Sequence, residues 1–332
     1  MTTTDERLKK LRERMEVEQV DLVALGPGPH MQWLLGFHPH ADERPCLLCI
    51  GQKGTAFLMP ALNAEGSRTQ TDLPFYEWND ADGPSEAFTR LRADLDVTSA
   101  GSVVLDETMR ADFGALVQDA MPNAARQFTA STIGLLRMRK DDDEYTFLKN
   151  NARIADQAMQ AGWAAMQIGM KEIEVAEVIR TKFTELGANP IFTIVGSGGN
   201  GAFPHHQTGD TKLKEGDAVV MDIGGGLCGY SSDITRMAVL GKAPDGYDKV
   251  HAIVEAAVQA ALVAARPGAR ARDVDFAARE VINKAGYGQY FVHRTGHGMG
   301  VEIHEQPYLT SVSETVLEPG MVFSIEPGIY LP

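Results

Sequence analysis

Along roughly the first 130 residues, the spacing of apolar positions switches between helical and strand periods. Leu8, Leu11 and Met15 recur at helical steps inside the charged stretch 5–19, which predicts an amphipathic helix with one buried stripe. Short continuous apolar runs then read as buried strands: DLVALG (21–26), CLLCIG (46–51), TAFLMP (55–60) and SVVLD (102–106), with a helix at 85–93 between the last two. That alternation predicts an α/β domain. Near 130–140 the pattern changes. Asp141, Asp142 and Asp143 offer N-caps and favourable negative charge at a helix start, and Tyr145, Leu148, Ala152, Ala155 and Met159 fall on one helical face. The reading therefore places a first domain at 1–133 and a second at 134–332.

The second region continues with a helix from about Glu172, stopped by Gly187, and a strand at 191–196. EGDAVVMDIGGGLCGYSSDITRMAVLG reads as consecutive strands with a turn at Gly224–Gly226. Helices at about 247–265 and 272–285 follow, stopped by Pro267-Gly268 and by Gly286. Strands are expected around Phe291, Val301 and Val322–Ile325. The order helix–helix–strand–strand thus occurs twice, a structural duplication without obvious sequence identity.

A length of 332 residues suits such a two-domain chain. The formal net charge of −14 argues against a phosphate grip on nucleic acid or a polybasic membrane anchor, both of which need clustered cations. The composition, 44 % apolar and 23 % charged, is that of an ordinary soluble globular protein, and no apolar run approaches a membrane span. MTTTDERLKKLRERMEVEQ carries charge where a secretory signal has an apolar core, so a cytoplasmic location is expected. Cys46 and Cys49 form a C-x-x-C, but no second pair follows and no helix start lies beside them. They are expected to be two buried strand residues.

GSGGNG (196–201) matches a dinucleotide fingerprint and has Asp222 about 20 positions on. Bound pyrophosphate needs a helix N-terminus directly after the glycines, whereas AFPHHQTGD carries Pro204 and no helical periodicity. A set of hard and borderline metal ligands carries more weight. Asp222 ends VVMD, Asp233 sits in SSDITR, His297 lies among glycines in HRTGHGMG, and Glu326 ends the apolar run VFSI. If 222 and 233 lie on paired antiparallel strands, both carboxylates can face one cavity. Carboxylates with one imidazole suit Mn²⁺, Co²⁺ or Zn²⁺ rather than a thiolate-selected metal.

In this order the motifs resemble the pita-bread metallopeptidases, in the branch of Xaa-Pro dipeptidase (prolidase) and aminopeptidase P. GDAVVMDIGGGLCGYSSDITR resembles the segment with the family's two aspartates, FVHRTGHGMGVEIHE the histidine segment, LEPGMVFSIEPGIY the first glutamate segment, and IVGSGGNGAFPHHQ a segment with a substrate-binding histidine. The resemblance implies a creatinase/prolidase-like α/β N-terminal domain followed by an α+β pita-bread catalytic domain. It implies two divalent ions (Mn, Co or Zn) held by Asp222, Asp233, His297 and Glu326, with Asp233 bridging them. His205 and His304 would contact substrate or the tetrahedral intermediate, and His293 would shape the pocket. His205 is preferred over His206 because it keeps the family's spacing to Asp222. A second bridging glutamate and its neighbouring arginine are expected in a final strand, for which the sequence to Pro332 offers no counterpart.

The implied reaction is hydrolysis of the bond before proline in Xaa-Pro dipeptides by a hydroxide bridging the ions, with Glu326 shuttling its proton. The alternatives are an aminopeptidase P acting on longer Xaa-Pro peptides, or a non-catalytic peptide-binding homologue. Proline-containing di- or short peptides are the expected ligands and a homodimer the expected assembly. In related enzymes the region corresponding to LLGFHPHADERP (34–45), with His38 and Arg44, reaches a neighbouring active site and limits substrate length.

Overall fold

A computed structural model describes residues 3–331, and the chain divides into two compact units, Met1–Arg137 and Met138–Pro332. The first unit begins with α1 (Thr4–Val17), whose capping box joins Thr3 and Glu6 and whose Leu8, Leu11 and Met15 are buried. Then come β1 (Leu22–Leu25), α2 (Pro29–Leu35), β2 (Leu47–Gly51), β3 (Thr55–Pro60), α3 (Ala61–Arg68) and β4 (Phe75–Trp78). The unit continues with α4 (Ser85–Asp94), β5 (Ser102–Leu105), α5 (Ala111–Ala120), β6 (Ala125–Phe128) and α6 (Ile133–Met138), the last crossing the division. The strands form one mixed sheet in the order β4-β3-β2-β1-β5-β6, in which β1, β2 and β3 pair antiparallel and the remaining pairs are parallel. The apolar runs named above are its central strands. The edge strands β4 and β6 escape that reading because FYEW and ARQF are only partly buried and carry no clean apolar pattern.

Cys46 and Cys49 are buried beside and within β2, with Cys46 Sγ 3.8 Å from Met59 Sδ. Burial pushes the Cys46 thiol up to about 12 and the Cys49 thiol higher still, so both remain protonated and unreactive.

The second unit is built in two halves. In the first, α7 (Asp142–Ala165) and α8 (Glu172–Glu185) cover a sheet of β7 (Asn189–Ser197), β8 (Ala218–Leu227), the short β9 (Tyr230–Ser231) and β10 (Ile234–Val239), in the order β10-β8-β7 with β9 on β8. Asp141 is the N-cap of α7, in a capping box with Glu144. The buried face of α7 is turned from the expected one. Tyr145 and Ala152 are exposed, whereas Leu148, Asn151, Ala155, Met159 and Gly162 are buried. A Cβ on Gly162 would come within 2.7 Å of Ile179, so the two helices approach closely there. Along β8 the pleat alternates: Val219, Met221 and Ile223 enter the core under α7 and α8, and Asp222 faces the other way.

The expected turn at Gly224–Gly226 is displaced. β8 runs straight through the glycines and reverses at Cys228 and Gly229, both at positive φ. The reason is steric. A Cβ at Gly224 would lie 2.2 Å from Phe192 and 2.4 Å from Ser232 O, and one at Gly225 2.4 Å from Phe183. These glycines make room for neighbours and do not bend the chain.

The second half contains α9 (Tyr247–Ala264), α10 (Ala271–Lys284), β11 (Gly296–Gly298) and β12 (Glu305–Leu309), around a core that includes Ala261, Val274, Ile282, Phe291 and Leu309. Strands do not form at Phe291, which follows a 3₁₀ turn, or at Val301, which lies in the β11–β12 connection. Residues 322–326 run antiparallel to β11 through Met299 N–H to Val322 O (3.2 Å), Ser324 N–H to His297 O (2.8 Å) and Glu326 N–H to Thr295 O (2.8 Å), although no regular strand forms. Among the described residues no helix is long and apolar enough to cross a membrane.

Candidate metal centre

β8 and β10 set the first two carboxylates. Asp222 is paired in register with Thr235, and Thr235 Oγ1 donates to Asp222 Oδ1 at 2.8 Å. Asp233 lies two positions before Thr235, hence on the same side of the pleat and diagonal to Asp222. Ser231 ties this segment to the turn after β11 through its N–H to Gly300 O (2.9 Å).

His297 comes from β11, which is hemmed in on both edges. A Cβ on Gly296 would stand 2.0 Å from Ser324 O, and one on Gly298 2.2 Å from Gln306 O. Only glycine permits that approach, and it brings His297 and Glu326 onto adjacent segments. His297 Nε2 lies 3.4 Å from Asp233 Oδ2 and 3.3 Å from Glu326 Oε1, and its Nδ1–H donates to Gly298 O at 3.1 Å. Since a carbonyl can only accept, Nδ1 carries a proton. Nε2 points at two anionic oxygens, holding a second proton between them when no cation is bound and offering its lone pair once a cation takes that proton's place. His297 and Asp233 are nearly inaccessible, with side-chain exposures of 3 % and 7 %.

Such a cluster lacks positive charge. Burial, followed by the charge of Asp233, pushes the Asp222 carboxyl up to about 7 against the opposing bond from Thr235. Burial alone would lower the His297 imidazole, but the bonds to Asp233 and Glu326 outweigh it and push His297 up to about 10. Protons are thus drawn to the place where a cation would relieve the same repulsion, and the donors are oxygens and an imidazole nitrogen. The set fits a divalent metal. His304 adds a further nitrogen: Asp233, His297 and His304 offer ligand atoms all within 4.8 Å of one another, and the two imidazole rings are 4.1 Å apart.

Of the other expected histidines, His304 adjoins the cluster and His293 lies near enough to feel the charge of Glu326. His304 is held below its ordinary range by burial, then by the charges of His297 and Arg294, so it is neutral near pH 7. His293 Nδ1–H donates to Arg294 O (2.7 Å), leaving Nε2 to accept from the Tyr330 hydroxyl (2.9 Å), and burial keeps this ring neutral as well. His205 is exposed and close enough for its charge to act on His293. His206 is committed elsewhere, 2.9 Å from the fully buried Glu172. Glu172 also accepts from Ser197 N–H and the Asn200 amide, fixing the glycine-rich loop whose 3₁₀ turn (Gly198–Ala202) stands where a dinucleotide site would need an α-helix. Sequence reasoning missed Thr235 and Tyr330. Their signals were their short offsets from Asp233 and Glu326 in SSDITR and EPGIY.

His30, Asp106 and Glu107 of the first unit also gather, but their hydrogen bonds form a closed chain. Arg137 donates to His30 Nδ1 (2.9 Å), which puts the imidazole proton on Nε2 toward Thr129 Oγ1 (3.2 Å), and that hydroxyl donates to Glu107 (2.7 Å). No lone pair is left on His30 for a cation.

The model of metallopeptidase family M24 matches residues 146–332, and that of the creatinase/prolidase N-terminal domain matches residues 7–140. The chain is 31 % identical to an Xaa-Pro dipeptidase of Pyrococcus horikoshii, over 100 % of this chain and 92 % of that protein. Among solved structures, a dipeptidase from the same organism aligns with TM-score 0.91 at 37 % identity, covering 98 % of this chain and 91 % of the other. A prolidase from Thermococcus sibiricus aligns with TM-score 0.92 at 32 % identity, covering 100 % and 91 %. The chain therefore belongs to metallopeptidase family M24, carrying a creatinase/prolidase N-terminal domain ahead of a pita-bread catalytic domain.

Proposed function

We propose that this chain is an Xaa-Pro dipeptidase, hydrolysing the peptide bond that precedes proline in dipeptides. The observation that carries the reading is the meeting of Asp233 and Glu326 at Nε2 of His297, with Asp222 alongside, in a chain whose relatives are named dipeptidases over nearly their whole length. Asp222, Asp233, His297 and Glu326 would hold two divalent ions, Mn²⁺, Co²⁺ or Zn²⁺. When bound, these would supply Lewis-acid polarisation of the scissile carbonyl and acidify water.

The chain's own groups do the rest. Glu326, less buried than its neighbours at 28 % exposure, takes the proton of the attacking water. His304 and His205, both exposed, donate hydrogen bonds to the oxygen on which negative charge develops, and Glu326 returns its proton to the departing amine. A bond to proline has no N–H, so recognition rests on ring shape and on the proline carboxylate. His293, fixed by Tyr330, forms one wall of that pocket.

The test is to load the purified protein with Mn²⁺, Co²⁺ or Zn²⁺ in turn and assay Xaa-Pro against Xaa-Pro-Xaa peptides. Release of proline from dipeptides with kcat/KM at least about tenfold above tripeptides is expected, a margin of roughly 1.4 kcal/mol in transition-state binding. A preference for tripeptides would make the protein an aminopeptidase P. Bound metal without turnover of either class would make it a peptide-binding homologue.

A further inference from the structure

Asp275 on α10 has no exposed surface, yet its carboxylate is fully engaged. It accepts from Arg279 Nε (2.7 Å) and Nη2 (3.2 Å), one helical turn away, and from Thr295 N–H (3.0 Å) and Oγ1–H (2.8 Å). The Arg279 fork extends further. Nη1 donates to Phe291 O at 3.1 Å, Nη2 donates to His293 O, and the guanidinium lies 4.1 Å from the centre of the Phe291 ring. Phe291 in turn meets the His293 ring edge-on at 5.3 Å, and Tyr330 meets it from another direction at the same distance. Through Thr295 the clamp reaches the metal centre, because Glu326 N–H donates to Thr295 O at 2.8 Å and His297 follows two residues later.

A buried ion pair is a poor source of stability, since apolar residues of equal volume commonly serve as well. Its contribution is directional. Only a planar guanidinium can span one carboxylate and two carbonyls at fixed angles; a lysine ammonium carries the charge without the fork. We infer that Asp275 and Arg279 are positioning residues that act through His293, holding its imidazole in the orientation that shapes the proline pocket. The inference rests on the dipeptidase reading given above.

Arg279→Lys keeps a cation beside Asp275 and removes the fork. In the metal-loaded enzyme it should raise KM for an Xaa-Pro dipeptide by about tenfold or more, with kcat changed less than about threefold, as expected for a displaced contact that binds ground state and transition state alike. In a His293→Ala background the same substitution should add little, because the residue through which it works is gone. A purely structural role predicts a lower Tm and less active protein, hence reduced kcat at unchanged KM, and additive effects in the double mutant; either result overturns the inference. Arg279→Gln, neutral and similar in length, repeats the measurement should the lysine variant not fold. Imidazole ¹⁵N spectra of histidine-labelled protein give a readout free of catalysis: His293 should be the Nδ1–H form in the wild type and shift in Arg279→Lys. If the wild type hydrolyses no Xaa-Pro dipeptide, the functional reading fails, whereas unchanged His293 signals in the variant sink the clamp.

Discussion

At His297, Nδ1–H donates to Gly298 O and Nε2 faces Asp233 and Glu326, so this residue should dominate both metal retention and pH response. His297→Ala is expected to abolish hydrolysis and lower metal content while leaving the fold intact, measured by elemental analysis and circular dichroism. The metal-free protein carries a second signature. The folded pKa of His297 is raised to about 10 from an unfolded 6.5, so its contribution to stability is complete below 6.5 and is lost as pH climbs through 10. Asp222 works in the same direction: raised to about 7 from 3.8, it favours the protonated folded form at low pH and disfavours folding as pH rises through 7. With chelator present, the Tm of the second unit should fall between pH 6 and pH 10. Divalent metal should flatten that fall, because a cation takes the protons' place. A Tm rising over that interval without metal would contradict the electrostatics. Thr235→Val, which removes the bond to Asp222 at nearly constant volume, should weaken metal binding by about 10–100-fold in titration calorimetry.

At the scale of elements, the proposed metal ligands His297 and Glu326 depend on segments squeezed to a spacing that only glycine allows. Gly296→Ala would drive a methyl to 2.0 Å from Ser324 O and force β11 away from the segment bearing Glu326. A loss of about 1–3 kcal/mol or more is expected in denaturant unfolding, together with reduced metal content. Gly169→Ala serves as a control at an open position with positive φ, where backbone strain but no contact is introduced and metal content should not change. The same packing explains what the sequence could and could not reveal. The central strands of the first unit were legible because they are apolar throughout, and α1 because Leu8, Leu11 and Met15 form a stripe. Asp222 and Glu326 stand out in the sequence as carboxylates ending apolar runs, whereas Asp233 and His297 are singled out by motif order and by the family resemblance; the fold brings Asp233, His297 and Glu326 together. The run Gly224–Gly226 was misread as a turn because glycine used for bending and glycine used for close packing look identical in one dimension. The difference lies in Phe192 and Phe183, more than thirty residues upstream. Tyr145 and Ala152 were assigned to the buried face of α7 although the real contact surface is set by Asn151 and Gly162, whose polarity or smallness hides them from an apolar count.

For the whole molecule, the consequence is that each unit has its own core, and every proposed ligand belongs to the second. Leu22, Leu47, Phe88 and Phe113 pack in one cluster of the first unit, while the second has one cluster under α7 and α8 and another around α9 and α10. Asp222 and Asp233 come from the half built on α7 and α8, whereas His297 and Glu326 come from the half built on α9 and α10. A cation shared by these residues would therefore join the two halves of the second unit, and its binding energy would appear as resistance to their separation. At a free metal concentration about 100 times Kd, the stabilisation is about 2.7 kcal/mol. Hydrogen exchange should report it locally: on loading Mn²⁺, amides of β8, β10, β11 and residues 322–326 should slow by about a hundredfold wherever they exchange through opening of the second unit. Amides of β1, β2 and β5 in the first unit should be unaffected. Equal protection of both units would mean that the ion stabilises the chain through some other set of residues, while protection confined to β8 and β10 would place the cation on the aspartates alone and leave His297 and Glu326 outside its shell.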